Sequence, residues 1–145
     1  ADGTIPDDQR EVLAKMGSWL EKYGEAIYET RPWYTFGEGP TKEPDGHFSN
    51  YREFLKIKYS AKDVRYTTKG DVIYATLLGW PGNNTQVLLK SFSKSEWKNA
   101  REIKNVSLMD SNAKIEFEVT DKGLKVTTPD FPANEMAIVF KIELE

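Results

Sequence analysis

The chain has 145 residues, a net charge of −3 and no cysteine, which excludes a disulfide framework or thiolate metal site and speaks against a nucleic-acid surface, with its clustered Lys and Arg. Charged residues make up 30% and hydrophobic ones 39%, an ordinary globular balance, and the length suits one domain plus an appendage or two very small units. No apolar run reaches the length needed to cross a bilayer as a helix.

The first element is a helix. From Pro6 onward, apolar residues fall at Val12, Leu13, Met16, Trp19, Leu20 and Tyr23, a spacing of three and four that gathers them on one stripe. Pro6 suits the first turn, and Asp7, Asp8 and Glu11 set negative charge against the positive end of the helix dipole. Gly24 is placed to take the left-handed conformation that ends a helix. The pattern predicts a helix over 6–23. A two-faced helix of that length has little stability alone, so its stripe must be buried on a partner.

Residues 35–49 are dense in Gly, Pro and charge without an apolar period, and read as a loop. No Gly-Lys-Ser/Thr follows, so it is not a phosphate loop. Beyond it, period-two runs recur every eight to twelve positions, the signature of an antiparallel sandwich. Strands are predicted over 54–59, 64–67, 72–78, 86–92, 103–108, 115–119, 124–128 and 136–144. The fold class is therefore mainly β: an antiparallel two-sheet β-sandwich of about eight strands preceded by one amphipathic α-helix.

Residues 72–78 are apolar on both faces and should form a central strand covered on both sides. Ile115, Phe117 and Val119 alternate with Glu116 and Glu118, as do Ile138, Phe140, Ile142 and Leu144 with their neighbours, each set predicting one core face. Lys69-Gly70-Asp71 and Thr120-Asp121-Lys122-Gly123 suit hairpins with Gly in the left-handed position. Pro129 and Pro132 bracket Phe131 and take 128–134 out of the sheet.

The phrase DGTIP and the later WLEKYGEAIYETRP resemble the end of the catalytic barrel in glycoside hydrolase family 29, the α-L-fucosidases. Matching positions are Asp2, Gly3, Ile5, Pro6, Trp19, Leu20, Gly24, Glu25, Ala26, Ile27, Tyr28, Thr30, Arg31 and Pro32. Glu29 departs from the small residue expected there. The run DVRYTTKGDVIYATLLGWPG at 63–82 and the KG-L-x-V-T-x-P segment at 122–129 resemble the β-sandwich that follows the barrel. The resemblance implies three parts: 1–34, the last helix and exit segment of a (β/α) barrel; 35–50, a linker loop; and 51–145, a C-terminal β-sandwich.

The resemblance also implies a parent enzyme, a retaining exo-glycosidase that removes terminal L-fucose from glycans, and a periplasmic, secreted or lysosome-like location. The family's nucleophilic aspartate and acid/base glutamate match no residue here, so no catalytic residue, metal or cofactor is expected in this chain. Its expected partners are the upstream catalytic barrel, a fucosylated glycan through the parent, and a second copy through the helix stripe if the chain is truncated. Neither nucleic acid nor membrane insertion is expected.

The substrate-binding candidates are Trp80, Trp97 and Arg31. An exposed indole stacks on the C–H face of a pyranose, and Trp33 is a similar candidate. The opposing reading places these rings at the ends of the sandwich or in the interface with the barrel, and Arg31 in a salt bridge or against Trp33. That choice separates a stand-alone carbohydrate-binding module from a brace. His47 reads as a surface histidine, Glu25 as a brace for the chain reversal, and Asp110-Ser111-Asn112 as a turn lacking a calcium loop's glycine and terminal Glu. Asn83-Asn84-Thr85 and Asn105-Val106-Ser107 match the glycosylation triplet.

Overall fold

The computed structural model describes residues 3–44, 51–131, 134 and 136–145. His47 and Pro132 lie outside the described residues. In chain order come α1 (Asp7–Tyr23), a 3₁₀ turn (Gly24–Ala26), β1 (Arg31–Glu38), one helical turn α2 (Tyr51–Phe54), β2 (Val64–Lys69), β3 (Val72–Leu77) and β4 (Gln86–Leu89). A second 3₁₀ turn (Lys90–Phe92), β5 (Ile103–Leu108), β6 (Phe117–Thr120), β7 (Gly123–Thr127) and β8 (Ile138–Leu144) complete it. The strands form two antiparallel sheets, one ordered β1-β2-β3-β8-β5 and one β4-β7-β6.

Strand alternation explains where the core sits. Ile73, Ala75 and Leu77 of β3 and Ile138, Phe140 and Ile142 of β8 point to the inside, where they meet Leu89, Leu124 and Val126 of the smaller sheet. The opposite face of the same two strands carries Tyr74 and Val139, which pack with Tyr23 and Ala26 from the helix end. β3 is thus central and covered on both sides, as its double apolar pattern requires. Gly70 at φ +58° and Gly123 at φ +138° make the two hairpin turns expected of them.

Several elements differ from expectation, each for a local reason. Residues 35–38 belong to β1 rather than a loop: they pair with β2 around a bulge between Pro32 and Gly37, at an edge where proline's missing N–H costs nothing. Residues 54–59 form no strand, because Lys56 and Ile57 spend their N–H groups on the carbonyls of Glu53 and Phe54. The strand predicted over 86–92 stops at Leu89, where the Glu38 carboxylate takes the N–H groups of Lys90 and Ser91 at 2.8 and 2.6 Å.

Of the core face expected from Ile115, Phe117 and Val119, only Ile115, which precedes β6, is buried; Phe117 and Val119 are exposed on this short edge strand. Gly24 is right-handed at φ −58° and continues into the 3₁₀ turn. A Cβ there would lie 2.6 Å from the ring of exposed Tyr28, which would have to swing aside.

Candidate functional site

The helix exit is fastened to the outer face of the larger sheet by the residues of the GEAIYETRP run. Ala26 is fully buried, and its carbonyl accepts from the Thr67 hydroxyl at 2.6 Å. Glu25 Oε1 accepts from Tyr74 Oη at 2.7 Å and from Lys141 Nζ at 2.6 Å, which brings β3 and β8 under the turn. The Lys141 ammonium, then the Tyr74 hydroxyl, hold the Glu25 carboxyl below its ordinary range. Burial, then the Glu25 carboxylate, pushes the Tyr74 phenol up.

Glu29 stands at φ +58°, a left-handed position where a small residue would sit more easily, and its carboxylate pairs with Lys69 at 2.8 Å. Thr30 Oγ1 closes the reversal on the Ile27 carbonyl at 2.9 Å. One turn back, the Trp19 indole N–H donates to the Ala137 carbonyl at 3.1 Å, its ring 5.0 Å from that of buried Tyr23. Lys22 reaches Asp110 at 2.8 Å.

The fastening ends there. Val12, Leu13 and Met16 remain 57%, 53% and 55% exposed, so the sandwich covers only the last turns of the stripe, and the cover expected from the sandwich or a second copy is not supplied by this chain for the rest. Val12, Met16, Trp19 and Leu20, with Ile27 and Met136, line an almost wholly apolar groove of about 550 Å³. A soluble surface rarely leaves such a stripe without an occupant.

The candidate aromatic residues separate. Trp97 is 9% exposed and sits in a ring cluster with Phe92 at 5.3 Å and Trp33 at 5.4 Å, with Trp33 also 5.1 Å from Tyr66. The Trp97 ring is part of the hydrophobic core. Trp33 is half-buried in the same cluster. Arg31 is exposed and donates to the neighbouring Thr30 carbonyl at 3.2 Å. Trp80 is half-buried: it packs against the core and lines a cleft of about 730 Å³ between β4 and the loops flanking β2 and β3.

Glu38 is the only carboxylate among the described residues lining that cleft, and it is occupied by Lys90 and Ser91. Among the described residues no group of three His, Cys, Asp or Glu side chains is arranged to hold a metal ion. Asp110, at φ +58°, occupies the turn expected at 110–112. Of the two glycosylation triplets, the Asn83 side chain is bonded to Trp80 and Asp130, and the exposed Asn105 on β5 to Glu143.

Two anchoring residues escaped the sequence reading. Glu38 ties the edge of one sheet to the end of the other, and Asp63 gathers Thr41 and Ser60 beneath it. The alternation of Trp33, Thr35 and Gly37 with Tyr34 and Phe36 was the available signal for the strand that carries Glu38. For Asp63 there was none beyond its place before a strand.

Residues 58–143 match the family model of the alpha-L-fucosidase C-terminal domain. Over 140 residues the chain is 27% identical to the human tissue alpha-L-fucosidase, a match covering 96% of this chain and 24% of that protein. Over 88 residues it is 35% identical to an alpha-L-fucosidase of Branchiostoma floridae, covering 61% of this chain and 15% of that one. Among solved structures, Thermotoga maritima alpha-fucosidase in complex with a mechanism-based inhibitor aligns with a TM-score of 0.68 at 26% identity, over 98% of this chain and 28% of that one. The chain spans about a quarter of the length of these fuller matches.

Proposed function

We propose, because this chain belongs to the alpha-L-fucosidase C-terminal domain family, that it is the non-catalytic part of a retaining exo-glycosidase. That enzyme releases terminal L-fucose from glycans, and this part braces its catalytic barrel. The observation that carries the bracing role is the half-fastened helix: its exit is bonded to the sheet, while Val12, Leu13 and Met16 are left apolar and open. The occupant is the barrel, against which α1 closes as a last helix. The burial is worth about 25 cal/mol per Å² of apolar surface covered.

The division into 1–34, 35–50 and 51–145 enters this proposal with one amendment: Arg31–Glu38 is the sandwich's own edge strand, so the barrel's part ends at the turn before it. The reading of a stand-alone sugar-binding module loses Trp97, which lies in the core.

Met16→Glu tests the brace. In the 145-residue chain it leaves the unfolding midpoint nearly unchanged, because Met16 is already exposed. In the full-length enzyme it lowers the midpoint and the surviving fucosidase activity together. Equal, small effects in both would refute the role, as would hydrolysis of an aryl fucoside by the 145 residues alone.

A further inference from the structure

The cleft beside β4 shares no residue with the helix groove, and the bracing role makes no use of it. Its walls are mixed. Trp80, Pro81 and Val87 supply apolar surface, while Lys62, Thr85 and Gln86 bring ammonium, hydroxyl and amide groups to the same space. Its volume of about 730 Å³ falls in the range of small-ligand sites, roughly 300–1,000 Å³.

Trp80 is held by a network out of proportion to a surface loop. Its indole N–H donates to Asn83 Oδ1 at 3.0 Å, and Asn83 Nδ2 donates to the Asp130 carbonyl at 2.9 Å. Asn84 Nδ2 donates to the Asp130 carboxylate at 2.8 Å. Buried Thr128 accepts from the Thr85 N–H at 2.9 Å and donates to the Gly82 carbonyl at 2.6 Å. These bonds hold Asn84 at φ +47°, a left-handed conformation that a residue with a Cβ adopts at a cost.

We propose that this cleft binds a pyranose ring of a glycan, with the C–H face of the sugar on Trp80 and its hydroxyls on Lys62 and Gln86. Thr85 Oγ1, which donates to the Asn83 carbonyl at 3.0 Å, serves only as an acceptor. The chemistry selects the ligand. With its N–H taken by Asn83, the indole offers the cleft only apolar ring surface, and a pyranose pairs such a surface with a polar rim. An apolar ligand would leave Lys62 and Gln86 desolvated without partners, and an anion would gain nothing from the indole. The choice of a glycan rests on the reading of the parent as a fucosidase. The site itself rests on the cleft.

The test is an ¹⁵N NMR titration of the 145-residue chain with methyl α-L-fucoside and, separately, lactose. Trp80→Phe identifies the Trp80 indole signal among those of the four tryptophans. A saturable shift of the Trp80 indole and Asn83 amide signals with either sugar, the Trp97 signal staying in place, is the expected result. Lys62→Ala and Gln86→Ala, at exposed positions, should each weaken binding several-fold and leave the remaining spectrum intact. If neither sugar moves the Trp80 signal, or if both variants bind as the unaltered chain does, the proposal is wrong. The bracing role is read separately, from Met16→Glu.

Discussion

The Glu25 carboxylate lies 2.7 Å from the Tyr74 hydroxyl across 49 positions of sequence, and this bond joins the helix exit to the central strand. Tyr74 is 1% exposed, so its hydroxyl depends on that partner. Glu25→Ala should cost about 1–3 kcal/mol, the penalty of leaving a buried donor unmatched. Urea unfolding measures it. Tyr74→Phe in the Glu25→Ala background should recover part of the loss, because it removes the orphaned group. If the double variant is less stable than Glu25→Ala alone, the bond is not what holds the turn.

Asp63 gives the chain an acid-sensitive joint. Its buried carboxylate accepts from Thr41 N and Oγ1 at 3.0 and 2.9 Å and from Ser60 N and Oγ at 2.8 and 3.0 Å. Burial alone pushes its pKa up, but the bonds from the Ser60 and Thr41 backbone and hydroxyls outweigh it and hold the pKa below the ordinary value. A depressed carboxyl contributes stability above its unfolded pKa of about 3.9 and loses it as pH falls through the lower folded value. The urea midpoint should therefore fall below about pH 4, and Asp63→Asn should flatten that part of the profile while lowering stability at pH 7.

What could be read in advance follows from how many physical signals each element carries. β3 announced itself twice, by period-two alternation and by apolar residues on both faces, and the tertiary structure needed both. β1 carried the same alternation, but Gly37, Gly39 and Pro40 with the charges around them made its second half look like a loop; an edge strand tolerates such residues because one side of it pairs with nothing. The strand expected over 54–59 failed for the opposite reason. It had the pattern but no neighbour to pair with. The Trp97 cluster depends on three segments meeting along the β1 side of the two sheets, and spacing along the chain does not encode that meeting.

Two glycines with opposite roles make a paired prediction. At Gly123, φ is +138° and a Cβ would lie 2.3 Å from the Leu89 carbonyl oxygen, a contact that only backbone movement relieves. Gly123→Ala should destabilise by more than about 1 kcal/mol, since strain and collision add. Gly17 lies inside α1 with nothing within 4 Å of a built Cβ. Gly17→Ala should raise helix stability by about 0.5–1 kcal/mol. Thermal unfolding of the two variants should move in opposite directions.

Trp97 tests whether the ring cluster belongs to the core or to a binding surface. Trp33 comes from β1, Tyr66 from β2, and Phe92 from the 3₁₀ turn after β4, so the cluster joins the two sheets along their β1 side. Trp97→Ala should cost about 3–5 kcal/mol, the range for emptying a buried aromatic site. In a domain whose whole stability is about 5–15 kcal/mol, that brings the chain close to unfolding. Trp97→Phe should lose less, because a smaller ring keeps the contact with Phe92. Trp33→Ala and Trp97→Ala should combine non-additively, since the two rings touch. If Trp97→Ala unfolds at the same urea concentration as the unaltered chain, the ring is not part of the core, and the stacking role would have to be reconsidered.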